Sequence, residues 1–124
     1  MIPQPPLRFG PVGEVWPSGR SKIAALLKVE DAWVATLVGI PLMSDSEDGL
    51  GPWVGTGGRL PSGTMVELIR YTPAALGPQP FELRCDWDAD ARQVLAEFAS
   101  VTNLDKAAVT WAGEQFARPD RAEE

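Results

Sequence analysis

Glycine and proline constrain the fold of this chain more than any other feature, since twelve of each are spread over 124 residues. Proline removes a backbone donor and stops helices and central strands, and glycine weakens the interior of both. Short elements joined by many turns are therefore expected, around one hydrophobic core. Residues 1–20 are rich in both and predict an extended arm, residues 21–112 a single α+β domain, and residues 113–124 a polar tail.

Two apolar segments near the start of the predicted domain favour a β-hairpin. Residues 21–29 and 33–42 are rich in Val, Ile, Leu and Trp, and two acidic residues lie between them. This composition and spacing are typical of strands joined by a turn. The second segment is apolar on both faces, which predicts a central strand. Residues 43–63 are interpreted as a long irregular loop, a kind of segment that is often functional.

The second half of the chain has clearer periods. Residues 89–102 carry apolar side chains at helical spacing, with Asp88 as the expected N-cap and Asn103 as the expected left-handed residue after the helix. Alternating or β-branched segments predict strands at 64–72, 80–86 and 107–112. Together these elements predict an α+β fold, an antiparallel sheet of about five strands with one helix from the C-terminal half packed on one face.

Acidic residues outnumber basic ones, which gives a net charge of −6 and an isoelectric point near 4.6. Nucleic acids are bound mainly through Lys and Arg, so this charge argues against a nucleic-acid partner and against an anionic membrane surface. A basic protein partner would fit the charge, and so would simple solubility. No signal peptide and no segment long enough to cross a bilayer can be recognised, so the cytoplasm is the expected location.

Catalytic chemistry is restricted because the chain has no histidine and a single cysteine. Without histidine there is no Ser-His-Asp or Cys-His system and no His-ligated metal site. Cys85 alone forms neither an internal disulfide nor a thiolate metal site, and it shares the apolar face of a predicted strand with Phe81 and Leu83. The prediction is a protein with no catalytic residues, no metal and no cofactor.

One acidic segment has part of the spacing of a calcium-binding loop. The first, third, fifth and twelfth positions of that loop would be Asp86, Asp88, Asp90 and Glu97. Ala91 stands where the loop needs glycine, and a strand rather than a helix is predicted before it. The acidic residues are therefore interpreted as the start of the 89–102 helix, whose positive end they complement.

The strongest candidate for a binding surface lies within residues 43–63, where the acidic turn DSEDG is followed by a tryptophan and by GTGGR. GTGGR matches neither nucleotide-binding glycine pattern, so it is interpreted as a flexible turn. Trp16, Trp53 and Trp87 lie beside Gly, Pro or Asp, and aromatics of this kind either anchor protein interfaces or cover the ends of a sheet. The predicted partner-binding residues are Asp45, Glu47, Asp48, Trp53, Arg59 and Trp87.

A small acidic α+β protein with a hairpin start, exposed aromatics and no catalytic residues resembles the immunity proteins that neutralise bacterial polymorphic or contact-delivered toxins. The resemblance covers general character over the whole chain, and no site residue is transferred from it. It implies a cytoplasmic inhibitor that binds a cognate, basic toxin and masks its active site with an acidic surface. The choice between a monomer and a homodimer stays open.

Two other functions fit the same sequence. A carboxylate-dependent enzyme would need a general base beside Arg70 or Arg84, and the candidates for that base are Glu67, Asp86 and Asp88. A deep pocket holding a carboxylate of raised pKa would favour this enzyme, and a solid sheet-helix core with no concavity would exclude it. A secretion chaperone or structural subunit is the third interpretation, and a constitutive homodimer would favour it.

Overall fold

The computed structural model describes residues 5–47 and 49–113. These residues contain seven β-strands and two α-helices. The strands are β1 (Arg8–Gly10), β2 (Ser21–Leu27), β3 (Met43–Glu47), β4 (Gly51–Arg59), β5 (Met65–Tyr71), β6 (Phe81–Asp86) and β7 (Val109–Ala112). The helices are α1 (Asp31–Val38) and α2 (Ala91–Thr102). The α+β class is confirmed, with seven strands in place of about five and two helices in place of one.

Three predictions fall partly or wholly outside these residues, namely Asp48 of the acidic turn, residues 1–4 of the arm and residues 114–124 of the tail. Between residues 5 and 113, Asp48 aside, no helix is long and apolar enough to cross a bilayer. The two helices have 8 and 12 residues, whereas a bilayer requires roughly 20.

The sheet is antiparallel at every pairing, and its strand order is β1-β4-β5-β6-β2-β7. One edge of β4 is shared, because its last three residues pair with β1 and its first five pair with β3. Strands β1 and β2 are consecutive in the chain but belong to opposite halves of the sheet. The residues that connect them must therefore cross the sheet.

The hydrophobic core lies between the sheet and the two helices. Alternation in β6 turns Phe81, Leu83 and Cys85 toward the helices, and all three side chains are fully buried. Phe98 of α2 is also fully buried, and its ring meets Trp33 of α1 edge-on with the ring centroids 6.4 Å apart. Both helices therefore cover the same face of the sheet.

The predicted strand at residues 33–42 is wrong, because this part of the chain forms helix α1. Its buried residues follow the three-and-four spacing of a helical face and are Val34, Leu37 and Val38. Gly39 ends the helix in the left-handed conformation, with φ of 76°, and donates its N–H to the Ala35 carbonyl at 3.0 Å. Strand β2 therefore has no hairpin partner here and pairs with β6 and β7 instead.

The predicted long loop at residues 43–63 is also wrong, since β3 and β4 form a hairpin within it. The GTGGR segment, predicted to be a flexible turn, is the second half of β4 and pairs with strands on both sides. Gly57 fits there because a Cβ atom would stand 2.5 Å from the Gly10 carbonyl oxygen of β1. Its glycines thus permit a close approach between strands rather than a turn.

Strands β5, β6 and β7 and helix α2 confirm the elements predicted for the second half of the chain. The N-cap of α2 is Asp90 rather than the predicted Asp88. Its carboxylate accepts hydrogen bonds from the backbone N–H groups of Arg92 and Gln93. Asn103 takes the left-handed conformation after the helix, with φ of 57°, as predicted.

Candidate functional site

The face of the sheet that carries no helix gathers polar and aromatic side chains from four strands. The pairing of β5 with β6 sets Glu67 directly beside Arg84 on this face. Nearer the end of β5, the pairing of β3, β4 and β5 sets Asp45, Trp53 and Tyr71 in one row. Side chains that are far apart in the sequence therefore share one surface.

Residues 11–19, here called the strap, cross this face on their way from β1 to β2. Three contacts of 2.8 to 2.9 Å hold the strap: the Gly13 N–H donates to Glu67 Oε2, the Arg59 guanidinium pairs with Glu14, and the Ser18 N–H donates to Asp86 Oδ1. The hydrogen bond from Ser18 and another from the Asp88 N–H lower the pKa of the Asp86 carboxyl. The strap is thus fixed to the sheet by carboxylates on β5 and β6 and by the Arg59 guanidinium at the end of β4.

The strap and the β3–β4 hairpin border a cleft of about 500 Å³, here called the outer cleft. Its lining residues are Val12, Gly13, Glu14, Trp16, Asp45, Ser46, Glu47, Trp53, Glu67, Ile69, Tyr71 and Arg84. Four of these side chains are acidic and one is basic, so the outer cleft is negatively charged. Its volume falls within the range of about 300–1,000 Å³ that is typical of ligand pockets.

Glu67 is the most deeply buried charged group of the outer cleft, with only 5% of its surface exposed. Its Oε2 atom accepts the Gly13 N–H, and its other carboxylate oxygen accepts no hydrogen bond from any residue in the described ranges. Burial raises the pKa of Glu67 above its ordinary 4.5, although the Gly13 hydrogen bond and the nearby Arg84 charge oppose part of the rise. A proton or an external cation would therefore stabilise this carboxylate.

A chain of hydrogen bonds crosses the floor of the outer cleft from β6 to β3. Glu82 Oε1 accepts from Nε and Nη2 of Arg84 at 2.9 and 2.7 Å. Nη2 of Arg84 also donates to the Tyr71 hydroxyl at 3.3 Å, and that hydroxyl donates to Glu47 Oε1 at 3.0 Å. Burial would lower the pKa of Arg84, but its contacts with Glu82 outweigh burial and raise it, while burial raises the pKa of Tyr71.

Half of the predicted partner-binding residues meet in the outer cleft, and these are Asp45, Glu47 and Trp53. Arg59, at the end of β4, borders the outer cleft through its ion pair with Glu14. Trp87 is not among the lining residues: it follows β6, is 45% exposed and stacks with Arg20, whose guanidinium carbon lies 4.2 Å from the ring centroid.

The residues considered for a carboxylate-dependent enzyme separate onto different surfaces. Glu67 and Arg84 meet in the outer cleft. Arg70 lies on the helix side of the sheet, where its Nε and Nη2 atoms bond the Asp31 carboxylate of α1 at 3.0 and 2.6 Å. Asp86 is engaged with the strap. Among the predicted pairs of a general base with an arginine, the structure therefore brings Glu67 and Arg84 together.

Two ionisable residues of the outer cleft, Glu14 and Tyr71, are not among the candidates predicted from the sequence. The alternation of Glu67, Ile69 and Tyr71 along β5 was a usable signal, because residues two apart in a strand share a face. No local pattern signals Glu14, since the strap reaches the outer cleft only through the long connection between β1 and β2.

Two further hollows, of about 650 and 480 Å³, lie near the start of α1. Both are lined by Lys28, Val29 and Glu30, and the larger one also contains the paired side chains of Arg70 and Asp31. Acidic and basic lining residues nearly balance in these hollows. The outer cleft is therefore the concave surface with the strongest net charge among the three.

Within residues 5–47 and 49–113, no three His, Cys, Asp or Glu side chains form a group that could hold a metal ion. Comparison of the chain with protein-family models, with curated proteins and with solved structures finds no match. What the outer cleft can bind therefore has to follow from its own charge and shape.

Proposed function

We propose that this protein binds a basic partner protein through the outer cleft and is not a catalyst. The observation that carries the proposal is that four carboxyl groups and two indole rings line one concave surface containing a single guanidinium. Complementary charge steers a basic partner toward such a surface, and tryptophan in a desolvated pocket often dominates binding energy. The net charge of −6 acts in the same direction.

The form of binding proposed is inhibition of the immunity type, in which the protein covers the active site of a cognate toxin in the cytoplasm. A toxin that acts on nucleic acid needs a basic surface to hold phosphates. An acidic cleft bordered by aromatic side chains complements such a surface. One copy of the protein would mask one copy of the toxin.

Affinity purification from the native cells tests this proposal. The wild type is expected to capture one protein in a stoichiometric amount and to suppress its activity. The triple variant Asp45→Lys, Glu47→Lys, Trp53→Ala is expected to weaken capture by roughly a hundredfold or more, because it removes one aromatic anchor and reverses two charges.

A matched control uses Glu30→Lys with Asp88→Lys, since both side chains are exposed and neither lines the outer cleft. The control makes the same two charge reversals elsewhere and is expected to capture the partner nearly as well as the wild type. Unchanged capture by the cleft variant, or an equal loss in the control, would contradict the proposal. Circular dichroism would confirm that each variant is folded.

A second function, general acid–base catalysis, is favoured by one observation. Glu67 is a buried carboxylate of raised pKa beside Arg84 in a cleft, and catalytic acids and bases are often tuned by burial in this way. Assays with ester, glycoside and phosphoester substrates, using the wild type and Glu67→Gln, test this function. Turnover by the wild type that Glu67→Gln abolishes would establish it, and equal background rates would exclude it for those substrates.

A further inference from the structure

The deepest acidic group of the outer cleft is placed to receive a cation from outside the chain. Only 5% of the surface of Glu67 is exposed, and one of its carboxylate oxygens accepts a hydrogen bond from the Gly13 N–H. The other oxygen accepts no hydrogen bond from the described residues. No buried side-chain oxygen of the described residues lacks a hydrogen-bond partner, so this second oxygen reaches the open space of the outer cleft, where a cation can bond it.

The neighbouring cation of the chain fills this role only in part, because the charge of Arg84 lowers the pKa of Glu67 but does not cancel the effect of burial. Arg84 lies beside Glu67 in the sheet, but its Nε and Nη2 atoms bond the Glu82 carboxylate. On the rim, Asp45 and Glu47 form no ion pair with any residue between 5 and 113 that the structure describes. The outer cleft therefore retains negative charge that an incoming cation can neutralise.

The shape and composition of the outer cleft favour a planar organic cation. Trp16 and Trp53 both line it, and indole rings attract cations through their faces. A guanidinium stacks on such rings and bonds carboxylates through two donors at once, whereas an ammonium is a more strongly hydrated point charge. The chain itself makes both kinds of contact, in the pairs Arg20–Trp87 and Arg70–Asp31.

We propose that the outer cleft binds the side chain of one arginine of the partner protein. The guanidinium bonds the carboxylates of Glu67 and Glu47, and its plane packs against Trp16 and Trp53. This inference rests on the proposed function and adds to it the group that the cleft selects, namely a guanidinium in preference to an ammonium.

An NMR titration with three capped tripeptides tests this selection. The probes are acetyl-Gly-X-Gly-amide peptides in which X is arginine, lysine or citrulline, the last being similar in shape to arginine but uncharged. The arginine peptide is expected to shift the indole N–H signals of Trp16 and Trp53 and to bind about fivefold more tightly, or better, than the lysine peptide. The citrulline peptide is expected to cause no shift.

Two variants and one control locate the bound arginine. Glu67→Gln and Trp53→Ala are each expected to weaken binding of the arginine peptide by about tenfold. Trp87→Ala is the control, because Trp87 is exposed and lies outside the outer cleft, and it is expected to leave binding unchanged. The remaining indole signals report whether each variant is folded.

Several outcomes would overturn the inference. These are equal binding of the lysine and arginine peptides, shifts confined to signals outside the outer cleft, or no binding by any peptide. Free arginine binding as tightly as the capped peptide would also overturn it, because the site would then suit a small guanidine. If the partner is still captured through Asp45, Glu47 and Trp53, the proposed function survives these outcomes, whereas failure of both experiments rejects both.

Discussion

At the scale of single residues, Glu67 is subject to three influences at once. Its place in β5 sets it beside Arg84, the strap donates the Gly13 N–H to it, and burial disfavours its charge. Either a proton or a cation can offset that burial. The same carboxylate therefore connects solution pH, the strap and the occupancy of the outer cleft.

Stability is expected to fall as pH rises through the titration of Glu67. The pKa of Glu67 in the folded protein lies above its ordinary 4.5. Between the pKa of Glu67 in the unfolded chain and its higher pKa in the folded protein, the folded state binds more protons than the unfolded state. Raising the pH through this window therefore destabilises the fold. Each unit of pKa difference corresponds to about 1.4 kcal/mol.

Urea unfolding of the wild type and of Glu67→Gln across this pH window measures the effect. The difference in free energy of unfolding between the two proteins is expected to be constant below the ordinary pKa of glutamate. Above that pKa, the wild type is expected to lose stability relative to Glu67→Gln. A carboxyl NMR titration of Glu67 gives the pKa directly. A midpoint at or below 4.5 would contradict the stated effect of burial.

At the scale of elements, the strap depends on a close approach to β4. A Cβ atom on Gly57 would stand 2.5 Å from the Gly10 carbonyl oxygen and 3.0 Å from that of Pro11. Gly57→Ala is therefore expected to displace β1 and the start of the strap, at a cost of about 1–3 kcal/mol in stability. Hydrogen exchange at the Gly13 N–H, which now bonds Glu67, is expected to accelerate.

The partner of Gly57 in the ladder supplies the control for this prediction. Gly10 pairs with Gly57, but a Cβ atom on Gly10 would meet its nearest neighbour at 3.7 Å, an ordinary contact. Gly10→Ala is expected to leave both stability and exchange at Gly13 nearly unchanged. Equal effects of the two substitutions would show that close approach at Gly57 does not position the strap.

The start of α2 gives another prediction at the same scale. Asp90 accepts two backbone hydrogen bonds there, whereas the side chain of Asp88 caps no helix. Asp90→Ala is expected to cost about 1 kcal/mol in free energy of unfolding, and Asp88→Ala less than about 0.5 kcal/mol. Urea denaturation of the two variants measures both, and equal costs would contradict the assignment of the cap.

At the scale of the whole molecule, the net charge of −6 and the acidic outer cleft are expected to steer a basic partner. The association rate constant with the captured partner should fall by about tenfold or more between roughly 0.05 and 0.5 M salt, because the Debye length shortens over this range. The dissociation rate constant should change much less. Stopped-flow mixing measures both, and a salt-independent association rate would contradict electrostatic steering.

The sequence predicted the second half of the fold well because the signals there are local. Strand β6 alternates buried and half-buried residues, and α2 repeats its apolar residues with helical spacing. The segment that forms α1 is apolar on most sides, so its sequence fits a strand as well as a helix. Two features of the structure go with the helix rather than the strand. One is the tertiary contact of Trp33 with Phe98, and the other is the left-handed conformation of Gly39.

By itself, the sequence determined the acidic charge, the lack of histidine and the alternation that turns Cys85 into the core. It also indicated Asp45, Glu47 and Trp53 as a possible group, because they are close together in the chain. Only the tertiary structure brought Glu67 and the strap to that group. The reason is physical: strand register and the crossing from β1 to β2 depend on contacts between distant residues, which local periodicity does not encode.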